Sequence, residues 1–139
     1  MWILRIDRMS DWTDNVTGLQ HIGIPTNDLE KTVAFYTGLG FEIALRTVNE
    51  AAGEQVCFLR LKNLCIETYQ NGCAAGRPGA IDHIALDVRD VDAAFARAQA
   101  QGLQLLDECV QQLPFWEKGV RFFTILGPNG EKVEFSQML

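Results

Sequence analysis

The chain repeats itself. Displaced by 83 − 21 = 62 positions, "HIGIPTNDLEKTVAFYTGLGF" from His21 lies over "HIALDVRDVDAAFARAQAQGL" from His83. His21 then pairs with His83, Ile22 with Ile84, Ile24 with Leu86, Asp28 with Asp90, Leu29 with Val91 and Gly40 with Gly102. A fold for these 139 residues must therefore hold one unit twice.

Each copy opens with a short strand of period-2 alternation, then an Asn or Asp, then apolar residues at helical spacing. Leu29, Val33 and Tyr36 make an i, i+4, i+7 stripe, with Asn27 and Glu30 spaced as a capping box; Val91, Phe95 and Ala98 make the second stripe. Gly38 or Gly40 stops the first helix and Gly102 the second. Beyond the helices both copies read as β: "FEIALRTV", "QVCFLRL" and "LCIETYQ" in the first, "LQLLDECV", "VRFFTIL" and "KVEFSQ" in the second. "LKNL" and "GPNGEK" supply tight turns before the last strand of each. The plan is βαβββ twice, an α+β fold, with module one at 19–70, a Gly- and Ala-rich connector at 71–80 and module two at 81–139. Residues 1–18 form an N-terminal extension outside the repeat.

The chain has two histidines, and both hold the same place in the repeat. A single strand histidine is ordinary; two at equivalent positions need a common reason, and metal ligation is the simplest. Alternation puts Cys65, Glu67 and Tyr69 on one face of "LCIETYQ" and Lys132, Glu134 and Ser136 on one face of "KVEFSQ". Each module thus offers one carboxylate, at an offset of 134 − 67 = 67; five extra residues near "QLPFWEKG" absorb the difference from 62. Taken singly, each glutamate reads equally as an exposed strand residue. A carboxylate on the inner face of a curved sheet instead calls for a cation or hydrogen-bond donors. His21, Glu67, His83 and Glu134 together form a mixed nitrogen and oxygen set that suits Zn, Ni, Co or Mn and leaves positions open for water, as catalytic sites do.

Charge narrows the partners. With 12 Lys and Arg against 18 Asp and Glu the net charge is −6, which argues against nucleic acid or an anionic membrane and for a small molecule. No apolar run approaches the roughly 20 residues of a membrane span, and Arg5, Asp7 and Arg8 interrupt the N-terminus too early for a signal peptide. A cytoplasmic protein is expected. Cys57, Cys65, Cys73 and Cys109 form no CxxC pair and read as reduced thiols, buried as small hydrophobes.

From about residue 19 onward the chain resembles the vicinal oxygen chelate superfamily, in its glyoxalase I-like branch. The likeness lies in "QHIGIPTNDLEKTVAFYTGLGFE", "IETY", "DHIALDVRDVDAAF" and "GPNGEKVEF", in family order and spacing. It implies paired βαβββ modules forming a cupped, mixed sheet, helices outside, around one divalent ion held by His21, Glu67, His83 and Glu134. In short chains of that family the two modules lining one cavity can come from different subunits, so a homodimer is expected. Glyoxalase I moves a proton between adjacent carbons of a thiol hemithioacetal through an enediolate held on the metal. By that likeness Glu134 is the catalytic base and Glu67 its counterpart.

Bacterial glutathione-dependent members carry an arginine four residues after the first histidine, where this chain has Pro25. Asn71 matches their asparagine four residues after the first glutamate. Lys118 and Arg121 are candidates to replace the missing anion contact, and Phe115 and Trp116 candidates to wall the substrate pocket. The expected function is a metal-dependent lyase or isomerase acting on a thiol hemithioacetal or an α-oxygenated carbonyl. Its alternatives are an acyl-thioester epimerase of the methylmalonyl-CoA type and a drug-binding protein of the same fold.

Overall fold

Two copies of one alternation build two sheets. The computed structural model describes residues 12–139; the first eleven residues of the N-terminal extension lie outside the described part. A short helix α1 (Trp12–Asn15) precedes module one, which runs β1 (Ile22–Thr26), α2 (Leu29–Gly38), β2 (Glu42–Asn49), β3 (Glu54–Leu61), β4 (Leu64–Gln70). Module two runs β5 (His83–Asp87), α3 (Val91–Ala100), β6 (Gln104–Leu105), β7 (Gln111–Leu113), β8 (Val120–Leu126), β9 (Lys132–Met138). The strand orders are β1-β4-β3-β2 and β5-β9-β8-β6, with β7 also on β8. β1 is parallel to β4 and β5 to β9, while the hairpin pairs are antiparallel, so both sheets are mixed and the fold is α+β.

Burial follows the alternation. Cys57, Leu59, Ile66 and Thr68 point to the helix side of the first sheet, where Leu29, Val33 and Tyr36 of α2 cover them. Phe123, Ile125 and Val133 do the same beneath Val91 and Ala98 of α3. These side chains join into one apolar cluster that draws on both modules. Each fully buried large one contributes about 1.5–3 kcal/mol.

The helix starts correct one expectation. Asp28, not Asn27, caps α2: its backbone is extended and its carboxylate accepts from the Lys31 N–H at 3.1 Å, as Asp90 does for the Ala93 N–H at 3.0 Å. Asn27 lies one residue outside the cap, and its side-chain oxygen accepts from the connector's Ala74 N–H at 3.0 Å. A second, repeated device completes each start. The Gln70 side-chain oxygen accepts from the Leu29 N–H at 2.8 Å, and that of Gln137 from the Val91 N–H at 2.9 Å, so the last strand of each module binds the first free amide of its helix.

The expected strand "LQLLDECV" is broken. β6 and β7 both pair with β8, and between them the Asp107 carboxylate accepts from the Thr124 N–H at 2.8 Å. A side chain takes the place of a strand carbonyl there, which releases residues 108–110 from the ladder. The register also locates the five-residue insertion. Phe58 stands opposite Glu67 and Thr124 opposite Glu134, giving offsets of 124 − 58 = 66 and 134 − 67 = 67. Four extra residues therefore fall before β8 and one falls in the turn between β8 and β9.

Each module forms its own mixed sheet within one chain. The modules meet where α2 touches the turn between β8 and β9: Asn129 Nδ2 donates to Thr32 Oγ1 at 2.9 Å, and Tyr36 Oη donates to Glu131 Oε2. Among the described residues, the outer edges of β1 and β5, next to the two histidines, have no strand partner.

Candidate functional site

Each module places one imidazole beside one carboxylate. Gly23 stands opposite Glu67 and Ala85 opposite Glu134, so a histidine two residues earlier shares the glutamate's face in both sheets. His21 Nε2 lies 3.9 Å from Glu67 Oε1, and His83 Nε2 lies 3.5 Å from Glu134 Oε2. Both separations exceed a good N–H···O hydrogen bond. Two ligands about 2.1 Å from one metal at roughly 90–110° stand about 3.0–3.4 Å apart, so the His83–Glu134 pair lies just beyond that spacing and the His21–Glu67 pair about half an ångström beyond it. The donor chemistry fits a divalent cation, two ligands at a time.

The four do not meet in one chain. Among the described residues no group of three or more His, Cys, Asp or Glu side chains is placed to hold one metal ion. The structure brings together His21 with Glu67 and His83 with Glu134, as two separate pairs.

The other ring nitrogen is held alike in both pairs. His21 Nδ1 donates to Gln20 Oε1 at 3.0 Å and His83 Nδ1 to Asp82 Oδ2 at 3.0 Å, because each partner oxygen only accepts. Asp82 also takes the Lys132 ammonium at 3.3 Å. The His83 ring N–H, then Lys132, hold the Asp82 carboxyl below the usual carboxylate range. Sequence reasoning missed Gln20, Asp82 and Lys132; the paired dipeptides "QH" and "DH" were the available signal.

The surroundings differ. His83, Glu134, Asp82, Lys132, Leu106, Asp107 and Thr124 line a concavity of about 320 Å³. Around the first pair, the Phe58 ring meets the His21 ring edge-on at 5.7 Å. Tyr69 lies along Gly23, where an added Cβ would come 3.6 Å from its ring and 3.9 Å from Glu67 Oε1. Cys65 shares the Glu67 face as expected and is half-buried. Cys57 is buried, and burial raises its thiol; Cys73 and Cys109 are exposed, contrary to the expectation of four buried thiols.

The proposed substrate contacts fare unevenly. Arg121 is a correction: it lies on the helix side of β8, on the opposite face from Thr124, and forks onto the Asp92 carboxylate of α3 at 2.8 Å twice. Alternation fixes that outcome, because Arg121 shares the parity of the buried Phe123 and Ile125. Trp116 and Lys118 line a separate open cleft of about 410 Å³ together with Leu113, Pro114 and Gly119. It shares no lining residue with the His83 concavity. Phe115 and Trp116 are exposed there, and Trp116 has a positive φ of 64°. The Asn71 side-chain oxygen is engaged by the Cys73 N–H at 2.9 Å within its own turn. Pro25, opposite Tyr69, occupies the site face of β1.

Residues 18–135 match the family described as the Glyoxalase/Bleomycin resistance protein/Dioxygenase superfamily. The chain belongs to that superfamily. This is the vicinal oxygen chelate group whose motifs the sequence carries. The uncharacterised protein YwbC of Bacillus subtilis (strain 168) is 31% identical over 125 residues, covering 86% of this chain and 96% of its own. The fold is also that of a glyoxalase family protein from Enterococcus faecalis, at 21% identity and a TM-score of 0.73 over 88% of this chain and 98% of that one. The fosfomycin resistance protein FosX from Listeria monocytogenes, complexed with Mn(II) and sulfate, superposes with a TM-score of 0.67 at 20% identity over 89% and 94%. Members of the glyoxalase superfamily are often enzymes and commonly bind a divalent metal. Among the described residues no helix is long and apolar enough to cross a membrane.

Proposed function

We propose that the chain is a metal-dependent lyase or isomerase of the glyoxalase I type, working as a homodimer on a small thiol hemithioacetal or α-oxygenated carbonyl. The observation that carries this reading is the pair of imidazole–carboxylate couples, at repeat-equivalent places and at separations of 3.9 and 3.5 Å. His21 and Glu67 of one protomer, with His83 and Glu134 of a second copy, would hold one Zn, Ni, Co or Mn ion. When bound, such an ion supplies Lewis acidity, which lowers the cost of removing a weakly acidic C–H proton by several kcal/mol.

This chain's own groups do the rest. Glu134, whose side chain is only 18% exposed, takes the proton from one carbon and returns it to the next; Glu67 stands as its counterpart. Leu106, Asp107 and Thr124 wall the concavity in which that transfer takes place. Two copies per site also account for apolar side chains that one chain leaves open on its site faces. Leu45, opposite Phe58, is 52% exposed, and Met138, two steps beyond Ser136, is 58% exposed.

The test is metal loading followed by a substrate panel. The chain should take up about one ion per protomer from Zn, Ni, Co or Mn and sediment as a dimer. At least one metal form should isomerise a hemithioacetal of methylglyoxal with glutathione, bacillithiol or another thiol, and Glu134→Gln should abolish that turnover while leaving the fold intact. Uptake below about 0.2 ion per chain, with no change in thermal stability on metal addition, overturns the reading.

A further inference from the structure

The two imidazole–carboxylate couples are alike in geometry but not in what stands behind them. Asp82 Oδ2 accepts from His83 Nδ1 at 3.0 Å and Asp82 Oδ1 accepts from the Lys132 ammonium at 3.3 Å. Behind His21 the equivalent position, 82 − 62 = 20, holds the neutral Gln20, also at 3.0 Å. Where Lys132 stands, module one has the neutral Cys65, since 132 − 67 = 65. The two exchanges go together: an anion with its cation in one module, two uncharged residues in the other.

We propose that Asp82, anchored by Lys132, is the positioning residue that fixes the tautomer of His83, and that it makes the His83–Glu134 couple the stronger of the two toward a cation. The second clause rests on the metal reading above; the first does not. An ionised carboxylate accepts and cannot donate, so the ring proton facing it must sit on Nδ1. That leaves the Nε2 lone pair bare and aimed at the space beside Glu134, 3.5 Å away. With the proton on Nε2 instead, the ring would present an N–H to that space and could not bind a cation. A carboxylate behind a ligating imidazole also increases its electron donation more than an amide does, and removal of such a partner typically costs about 10–100-fold in metal affinity.

Lys132 has its own part. Asp82 is exposed, and a free carboxylate there would sample several rotamers; the ammonium holds its second oxygen while the first faces the ring. The other groups around His83 leave this arrangement alone, for Asp107 is engaged by the Thr124 amide and Thr124 faces Glu134 from β8.

The experiment reads both histidines at once, because the chain has only two. Long-range proton–nitrogen spectra of the metal-free protein, taken about two pH units above the ordinary imidazole pKa of roughly 6.5, report which ring nitrogen carries the proton. Both rings should carry it on Nδ1. Asp82→Ala should return His83 alone to the mixture seen in free histidine, and Gln20→Ala should do so for His21 alone. In a chelator competition with Zn(II), Asp82→Ala should weaken binding by about tenfold or more and Gln20→Ala by clearly less, with thermal midpoints near that of the parent. An Nε2-protonated His83 in the parent protein, or a tautomer that ignores Asp82→Ala, overturns the positioning role. Equal losses of Zn(II) affinity in the two variants overturn the ranking of the couples. A parent protein that binds no metal overturns the proposed function and the ranking with it, while the tautomer spectra still decide the positioning role.

Discussion

Tyr36, on the helix of module one, donates its phenolic hydroxyl to the Glu131 carboxylate of module two at 2.9 Å. Tyr36 is 1% exposed, and the other Glu131 oxygen accepts from the Asn129 N–H at 2.8 Å within the turn between β8 and β9. Ninety-five residues separate the partners in the chain, so this bond is a main polar tie between the two copies of the repeat.

Tyr36→Phe should lower stability by about 1.5–3 kcal/mol, the range for a hydrogen bond to a charged acceptor, measured by urea unfolding. The pH dependence has a definite sign. Burial, and then the Glu131 charge, raise the Tyr36 phenol above its ordinary value of 10.0. The folded chain keeps a proton that the unfolded chain releases, so this contribution is whole below about pH 10 and falls above it by about 1.4 kcal/mol per pH unit. In Tyr36→Phe that alkaline slope should shrink; an unchanged slope would place the alkaline sensitivity elsewhere.

Gly130 and Gly102 separate two costs of adding a methyl group. Both have positive φ, 77° and 67°. A Cβ on Gly130 would overlap the backbone of Gly76 and Arg77 in the connector, whereas one on Gly102 meets nothing within 4 Å. Gly102→Ala should cost about 1–2 kcal/mol for the left-handed backbone alone. Gly130→Ala adds a clash that only a backbone shift relieves and should cost clearly more, read as a larger drop in the denaturant midpoint.

Mixed variants test whether the site spans two chains. A protein with His21→Ala and Glu67→Gln, and one with His83→Ala and Glu134→Gln, should each bind no metal and be inactive. Unfolded together and refolded, they assort at random, and one of the two sites in each heterodimer regains all four ligands. Metal content and activity should return to about a quarter of the parent values. A mixture that stays empty places the complete set within one chain.

Arg121→Met should leave KM for any anionic substrate unchanged, because the guanidinium is spent on Asp92 on the helix side of the sheet. Its effect should be a small loss of thermal stability that high salt erases, as for other exposed ion pairs. A rise in KM would return Arg121 to the substrate.

The repeat made much of this legible in advance. His21 with His83 and Glu67 with Glu134 are visible as pairs because strand alternation and a fixed offset translate directly into a shared face. Less legible were features decided by contact across space. Asp107 breaks a strand by binding the Thr124 amide, Gln70 and Gln137 reach back to their helices, and Arg121 points away from the site because its neighbours in alternation are the buried Phe123 and Ile125. The last is readable from parity alone.

By itself the sequence determined the unit: a strand leading into a capped helix, further strands after it, and a histidine and a glutamate brought to one face by a period of two. Those are local consequences of backbone geometry and side-chain alternation, and they repeat because the sequence repeats. Only the tertiary structure decided how the copies join. The burial of Tyr36, its bond to Glu131 and the close crossing of Gly130 over Gly76 pack the modules through α2 and the turn between β8 and β9. Among the described residues, that packing leaves the β1 and β5 edges open and keeps the two imidazole–carboxylate couples apart in a single chain.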